Sequence, residues 1–118
     1  MILADTSVWV DHLRSGDTTL AGLLIAGTVL IHPLVIEELA CGNLSPRAEV
    51  LDLLHALPAA PSASHEEILQ FVARERLFST GLGAVDAHLL TSARLAHSRK
   101  WSRDAALNRA AKRLDFLA

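Results

Sequence analysis

The chain has 118 residues, of which 51% are hydrophobic and 20% charged, and its formal net charge is −2 at pH 7. These values exclude a disordered chain, and the apolar runs are too short to span a bilayer. We expect one globular domain over residues 1–118, acting in the cytosol, because no secretory signal precedes the first apolar run and a single cysteine excludes an internal disulfide.

Short apolar runs predict the first two strands. Residues 2–4 are apolar and end at Asp5, and the hydroxyl residues that follow are able to cap a helix. The β-branched, apolar run at residues 28–31 predicts a second buried strand. Two helices are predicted between these strands, at residues 7–13 and 18–26, the second with Asp17 as its N-cap.

The rest of the chain predicts mainly helices. Ser64 and Glu67 match the capping box that starts a helix. A short strand is expected in a loop at 58–62, another at 100–102, and an edge strand at Phe116-Leu117. Short strands that alternate with helices predict an α/β fold, with a parallel sheet covered by helices on both faces. The helices are expected at residues 34–41, 46–57 (with Ser45 as cap and Pro46 in the first turn), 65–76, 84–97 and 105–114.

Charge is distributed unevenly along the chain. Residues 1–70 hold two basic and nine acidic residues, whereas residues 94–118 hold seven basic and two acidic ones. An acidic body beside a basic segment suits a site that binds a cation next to a phosphate, although such charges are also common on solvated helix faces. If the segment does bind phosphate, Arg99, Lys100 and Arg103 are the expected contacts.

Two carboxylates are expected at the same edge of the sheet. Asp5 follows the first strand, and ligands of α/β proteins bind at the carboxyl ends of strands. Asp104 follows the strand at 100–102 and precedes a helix in the same way. If the two strands are parallel, their carboxyl ends meet. The alternative for Asp5 is that its side chain simply caps the next helix.

Two further acidic positions are candidates. Asp86 lies in the first turn of a long predicted helix, where the helix dipole alone is sufficient reason for a carboxylate. Glu38 has apolar neighbours one turn away, so we expect it to be buried, which costs several kcal/mol unless something pairs with it. Glu37 has similar neighbours, and spacing does not choose between the two.

Four carboxylates in one crevice would repel one another and raise their own pKa values. A divalent cation relieves this repulsion, and ligation by oxygen atoms alone favours Mg²⁺ or Mn²⁺. Such an ion activates water for attack on a phosphodiester. The sequence contains no CxxC pair, HExxH motif, P-loop or G-x-S-x-G turn that would point to other chemistry.

Four segments contain the candidate acids in order along the chain: Asp5-Thr6-Ser7-Val8-Trp9, Glu38-Leu39-Ala40-Cys41-Gly42, Gly83-Ala84-Val85-Asp86-Ala87-His88-Leu89-Leu90 and Ser102-Arg103-Asp104. Together these segments resemble the PIN-domain toxins of the VapC type. This resemblance implies a three-layer α/β/α fold with a four- or five-stranded parallel sheet. It also implies an Mg²⁺- or Mn²⁺-dependent endoribonuclease that forms a homodimer, is neutralised by a VapB-type antitoxin, and cleaves tRNA or ribosomal RNA.

The resemblance also implies site residues. It maps the acidic, metal-binding site onto four residues, which selects Glu38 over Glu37, and it gives Thr6 and Ser102 the role of orienting the ligands through their hydroxyls. Ser102 stands where the family usually has Thr, and residues 98–101 are more polar than the family strand. The four acids are Asp5, Glu38, Asp86 and Asp104.

Two other protein classes with an Asp after the first strand require residues that this sequence lacks. A haloacid-dehalogenase-like phosphatase needs a second Asp two residues after the first, and Ser7 occupies that position. A phosphorelay receiver domain needs an acidic pair after the first strand and a phosphoacceptor Asp in mid-chain, and neither pattern is present. A catalytically inactive PIN-fold protein that binds RNA or an antitoxin without cleavage stays open as the alternative.

Overall fold

The computed structural model describes residues 1–115, in which three short strands and seven helices alternate. The strands lie in the order β2-β1-β3 and all run parallel, so the predicted α/β fold is confirmed. The elements are β1 (Ile2–Ala4), α1 (Thr6–Ser15), α2 (Thr18–Ile25), β2 (Val29–Leu30), α3 (Pro33–Ala40), α4 (Arg47–His55), α5 (His65–Arg74), α6 (Ala84–Leu95), β3 (Arg99–Trp101) and α7 (Ala105–Arg113).

The first strand is the centre of the sheet. Leu3 pairs with Leu30 of β2 on one side and with Lys100 of β3 on the other, and Ala4 pairs with Trp101. Leu3 and Ala4 are completely buried. Because the strands are parallel, the residues that follow β1 and β3 emerge at the same edge of the sheet.

The described residues contain three of the four or five strands that were expected. In place of a fourth strand, Ile31 forms an isolated parallel bridge with Ala59, inside the segment where a short strand was expected. Two backbone hydrogen bonds support this bridge, from the Ile31 amide to the Pro58 carbonyl and from the Ala60 amide to the Ile31 carbonyl. A single bridge is too short to make a strand. The edge strand expected at Phe116-Leu117 lies outside the described residues.

Two apolar clusters form the core, and helix α6 lies between them. Leu89 belongs to the larger cluster around the sheet, and Leu90 to a smaller one that includes Phe71 and Leu107. Each large side chain buried in this way contributes about 1.5–3 kcal/mol to stability. The near-continuous apolar surface of this helix therefore reflects burial on two sides. No helix within residues 1–115 combines the length and apolar character that a membrane span requires.

The predicted helix starts are largely confirmed. Asp17 accepts a hydrogen bond from the Leu20 amide at 2.8 Å, as its N-cap role requires. The capping box of Ser64 and Glu67 forms in both directions, at 2.9 and 3.2 Å. Helix α4 differs, because it begins at Arg47 with Pro46 as the N-cap residue rather than within the first turn.

Candidate active site

Asp5 lies at the carboxyl end of β1 and is 7% exposed. Its Oδ1 accepts a hydrogen bond from Ser7 Oγ at 2.6 Å, and its Oδ2 accepts one from Ser102 Oγ at 2.8 Å. Asp5 occupies the N-cap position of α1, but its side chain makes no capping hydrogen bond. The capping interpretation of Asp5 is therefore wrong, and its carboxylate is directed towards the end of β3.

Ser102 connects Asp5 to Asp104. Its hydroxyl donates to Asp5 and accepts a hydrogen bond from the Asp104 amide at 2.8 Å, while its carbonyl accepts one from Asn108 Nδ2 at 2.9 Å. The exposed Asp104 is the N-cap of α7, and its Oδ1 accepts from the Leu107 amide at 2.8 Å. The strand ends thus bring these two acids together, as the parallel arrangement predicts.

Glu38 reaches the same edge from α3. Its Oε1 accepts a 2.5 Å hydrogen bond from the hydroxyl of Thr6, the residue next to Asp5. The expectation that Glu38 is buried is wrong, because α3 buries Val35, Ile36 and Leu39 and leaves Glu38 exposed. A charge at this exposed position consequently costs little free energy. The hydrogen bond from Thr6 therefore orients the carboxylate and is not needed to compensate for burial.

Asp86 lies half-buried in the first turn of α6. Its Oδ2 accepts a hydrogen bond from the Gly83 amide at 3.3 Å. Burial raises the pKa of the Asp86 carboxyl above its ordinary value, and the negative charges of Asp104 and Asp5 raise it further. This electrostatic coupling indicates that the three carboxylates face one region, as four converging acids would require.

Lys100 is completely buried, so the expectation that it contacts RNA phosphate from the surface is wrong. It pairs with Leu3 at the centre of the sheet, which directs its side chain into the interior. Burial lowers the pKa of its ammonium to about 8, and the charges of Asp5, Asp86 and Glu38 oppose this shift. The burial of Lys100 was not predicted, although its position within a short predicted strand was a signal for it.

The other two predicted phosphate contacts, Arg99 and Arg103, are exposed. Arg103 donates to Asp11 Oδ2 at 3.0 Å and to Asp17 Oδ2 at 2.6 Å, and its guanidinium lies 5.5 Å from the centre of the Trp101 ring. Its backbone amide donates to Ser7 Oγ at 2.9 Å. Arg103 therefore adjoins the carboxylates, while its charge is already paired.

The donor set suits a hard divalent cation, although its members are not yet gathered around one point. Carboxylate oxygens are the ligands that Mg²⁺ and Mn²⁺ prefer. Among the residues that the structure describes, however, no three acidic, histidine or cysteine side chains are close enough to hold one ion together. Each of the four carboxylates accepts a hydrogen bond from a nearby hydroxyl or amide instead, so a shared ion requires side-chain rotations.

A largely apolar groove opens beside Glu38. It has a volume of about 510 Å³ and lies between α1, α3 and the segment that leads into α4. Its lining includes Val10 and Leu13, which are 42% and 41% exposed. A second apolar groove of about 260 Å³ continues along α4 past the exposed Leu53. Exposed apolar area of this kind next to a polar site is typical of a binding surface.

Comparisons with known proteins agree with this geometry. A family model described as PIN domain matches residues 2–113. Two relatives named Ribonuclease VapC32, from Mycobacterium tuberculosis strains CDC 1551 / Oshkosh and ATCC 25618 / H37Rv, are each 51% identical to this chain over 111 residues. The alignments cover 93% of this chain and 90% of each relative. The chain thus belongs to the PIN-domain family and is a homologue of the VapC ribonucleases.

Proposed function

We propose that this chain is a toxin of the VapC type that hydrolyses RNA phosphodiester bonds in the presence of Mg²⁺ or Mn²⁺. The observation that carries the proposal is the hydrogen-bonded connection from Asp5 through the Ser102 hydroxyl to Asp104 at the edge of a parallel sheet. Asp86 is electrostatically coupled to both acids. Family membership supports the same conclusion.

Asp5, Glu38, Asp86 and Asp104 are the residues that would hold the cation. When bound, a divalent cation supplies Lewis-acid stabilisation of the charge that develops on the phosphate during hydrolysis. Ser7 and Ser102 hold the two oxygens of Asp5, which leaves that carboxylate one orientation. Hydroxyls that fix metal ligands in this way commonly change metal affinity when they are removed.

The basic residues at this edge would bind the RNA backbone. Arg99 and Arg103 are exposed, and Arg103 lies against Ser7 and Trp101, so an incoming phosphate would compete with Asp11 and Asp17 for its guanidinium. Phosphate contacts of this kind position the RNA without reading its sequence. The choice of tRNA or ribosomal RNA therefore rests on other parts of the surface.

The partners follow from the surface beside the site. We infer that a VapB-type antitoxin places an apolar segment in the groove lined by Val10 and Leu13, next to Glu38. Occupancy of that groove would block access to the acids.

The chain would act in the cytosol as a single PIN domain over residues 1–118 and as a homodimer. A short strand around Ala59 would add a fourth strand to the sheet of a three-layer fold.

A catalytically inactive PIN-fold protein that binds RNA or an antitoxin is the second candidate. The observation in its favour is that, in the described part of the chain, no three potential ligands gather around one point. The buried Lys100 ammonium also interacts electrostatically with Asp5, Asp86 and Glu38, three of the proposed metal ligands. Cleavage assays distinguish the two candidates directly.

The test uses purified protein, Mg²⁺ or Mn²⁺ and total RNA. We expect wild type to cleave RNA, cleavage to stop with EDTA, and Asp5→Asn to be inactive. Asp52→Asn is the matched control, because Asp52 is an exposed acid on α4, away from the candidate site. Identical gels for wild type and Asp5→Asn, with metal present, would favour the inactive binding protein.

A further inference from the structure

Lys100 has few partners for a buried charge. Its side chain is 0% exposed, and Nζ donates a long hydrogen bond to the Trp101 carbonyl at 3.4 Å. None of the ion pairs formed within residues 1–115 includes Lys100. A buried ammonium is costly unless nearby negative charge compensates for it.

The sheet places that ammonium on the same face as the acidic site. Side chains alternate along a strand, so Leu3 and Asp5 point to one face of β1. Lys100 pairs directly with Leu3, and Ser102, two residues after Lys100, donates to Asp5. Lys100 therefore enters the space below the carboxylates, and it interacts electrostatically with Asp5, Asp86 and Glu38.

The other basic groups nearby do not supply positive charge to the acidic site. His32 is also buried, but its Nδ1 accepts a hydrogen bond from the Leu34 amide, so that nitrogen carries no proton. Arg103 is exposed and pairs with Asp11 and Asp17. Of the basic side chains within residues 1–115, only Lys100 and His32 are fully buried, so Lys100 is the positive charge beneath the acids.

We propose that the Lys100 ammonium is a built-in counter-cation of the carboxylate site, which balances its negative charge in the metal-free protein and opposes the entry of a divalent cation. Lys100 is thus a positioning residue that acts through the acids and sets how much metal the site requires. This inference rests on the proposed metal-dependent function. It extends that function by predicting weak metal binding that a single substitution strengthens.

The test measures Mn²⁺ affinity by isothermal titration calorimetry. We expect the Kd of Lys100→Met to be lower than that of wild type by about tenfold or more, because a repulsive charge close to the ion is removed. Lys112→Met, which removes an exposed charge on α7, is the matched control and should stay within about twofold of wild type. An unchanged or higher Kd for Lys100→Met would overturn the proposal.

Two more variants separate charge from packing. Lys100→Gln keeps a polar end without the charge, so its Kd should resemble that of Lys100→Met. It also provides a neutral variant if Lys100→Met does not fold. Lys100→Arg keeps the charge and should retain the wild-type affinity. Tight binding by Lys100→Arg, equal to that of Lys100→Met, would contradict an electrostatic role, since packing would then explain the change.

A measurement on the unmodified protein needs no substitution. The chain contains two lysines, Lys100 and Lys112, so ¹³C-lysine labelling gives two resolvable sets of side-chain signals. Addition of Mg²⁺ should shift the Cε signals of Lys100 and leave those of Lys112 in place.

Metal binding without any shift at Lys100 would overturn this inference and leave the proposed function standing. If neither wild type nor Lys100→Met binds metal, the proposed function fails as well, whereas binding by Lys100→Met alone supports the inference.

Discussion

The hydroxyl of Ser102 donates a 2.8 Å hydrogen bond to Oδ2 of Asp5, although the two residues are 97 positions apart in the chain. Ser102 is buried, and the same hydroxyl accepts the Asp104 amide. One side chain thereby joins the end of β1 to the start of α7. The geometry of two proposed metal ligands depends on this single hydroxyl.

Removal of that hydroxyl should cost both stability and activity. Ser102→Ala leaves a buried carboxylate oxygen and an amide without their partner, so we expect a loss of about 1–3 kcal/mol in the free energy of unfolding, measured by urea denaturation. RNA cleavage should fall as well. Ser102→Thr keeps the hydroxyl and should retain both properties. A Ser102→Ala variant as stable and active as wild type would refute the role of Ser102.

The contact between Thr6 and Glu38 should affect metal binding more than stability. Because the pair is exposed, Thr6→Val should lower the free energy of unfolding by less than about 1 kcal/mol. The Kd for Mn²⁺ should nevertheless rise by about 10- to 100-fold, as is typical when a residue that orients a ligand is lost. Thr19→Val, an exposed threonine on α2, is the control and should bind Mn²⁺ like wild type.

Asp86 should destabilise the metal-free fold when it is ionised. Its pKa is raised in the folded state, chiefly by burial, so the native state binds the proton more tightly than the unfolded chain does. The loss of stability caused by ionised Asp86 is absent below pH about 3.9, the ordinary pKa of Asp. It develops as the pH rises through the pKa that Asp86 has in the folded state. Asp86→Asn should therefore melt about 1–3 °C above wild type at neutral pH without metal.

Two comparisons check the Asp86 prediction. The difference in melting temperature should disappear at pH 3, and Asp52→Asn should show none at either pH. Mn²⁺ should raise the melting temperature of wild type, because a ligand that binds only the native state stabilises it. An Asp86→Asn variant that melts below wild type in the absence of metal would count against carboxylate crowding.

His32 should make the fold sensitive to mild acid. Burial lowers its pKa to about 4, and the charges of His88 and Lys100 add to this shift. Since the folded pKa lies below the ordinary value of 6.5, the stability that His32 contributes is complete above pH 6.5 and is lost as the pH falls towards 4. The full loss corresponds to at most about 3 kcal/mol.

Urea denaturation between pH 7 and 4.5 measures this loss. His32→Asn should show a smaller fall in unfolding free energy over that range than wild type, even though it is less stable at neutral pH. His55→Asn replaces an exposed histidine on α4 and should follow wild type. Equal pH dependence in wild type and His32→Asn would show that other groups control the acid response.

Local hydrogen-bonding chemistry made several elements predictable. The cap at Asp17 and the capping box of Ser64 and Glu67 involve residues only three positions apart, so the residue types alone identify them. The alternation of short apolar strands with helices predicted the parallel sheet. That sheet in turn predicted that the end of β1 and the end of β3 would bring Asp5 and Asp104 together.

The amino-acid order was therefore sufficient for the fold class, most of the helix starts and the acidic residues at the strand ends. Which side chains are buried was decided by contacts between distant segments. Pairing of Lys100 with Leu3 turned an expected surface cation into a buried one, and the packing of α3 left Glu38 exposed. Such outcomes depend on long-range packing, which overrides the local preferences that sequence patterns report.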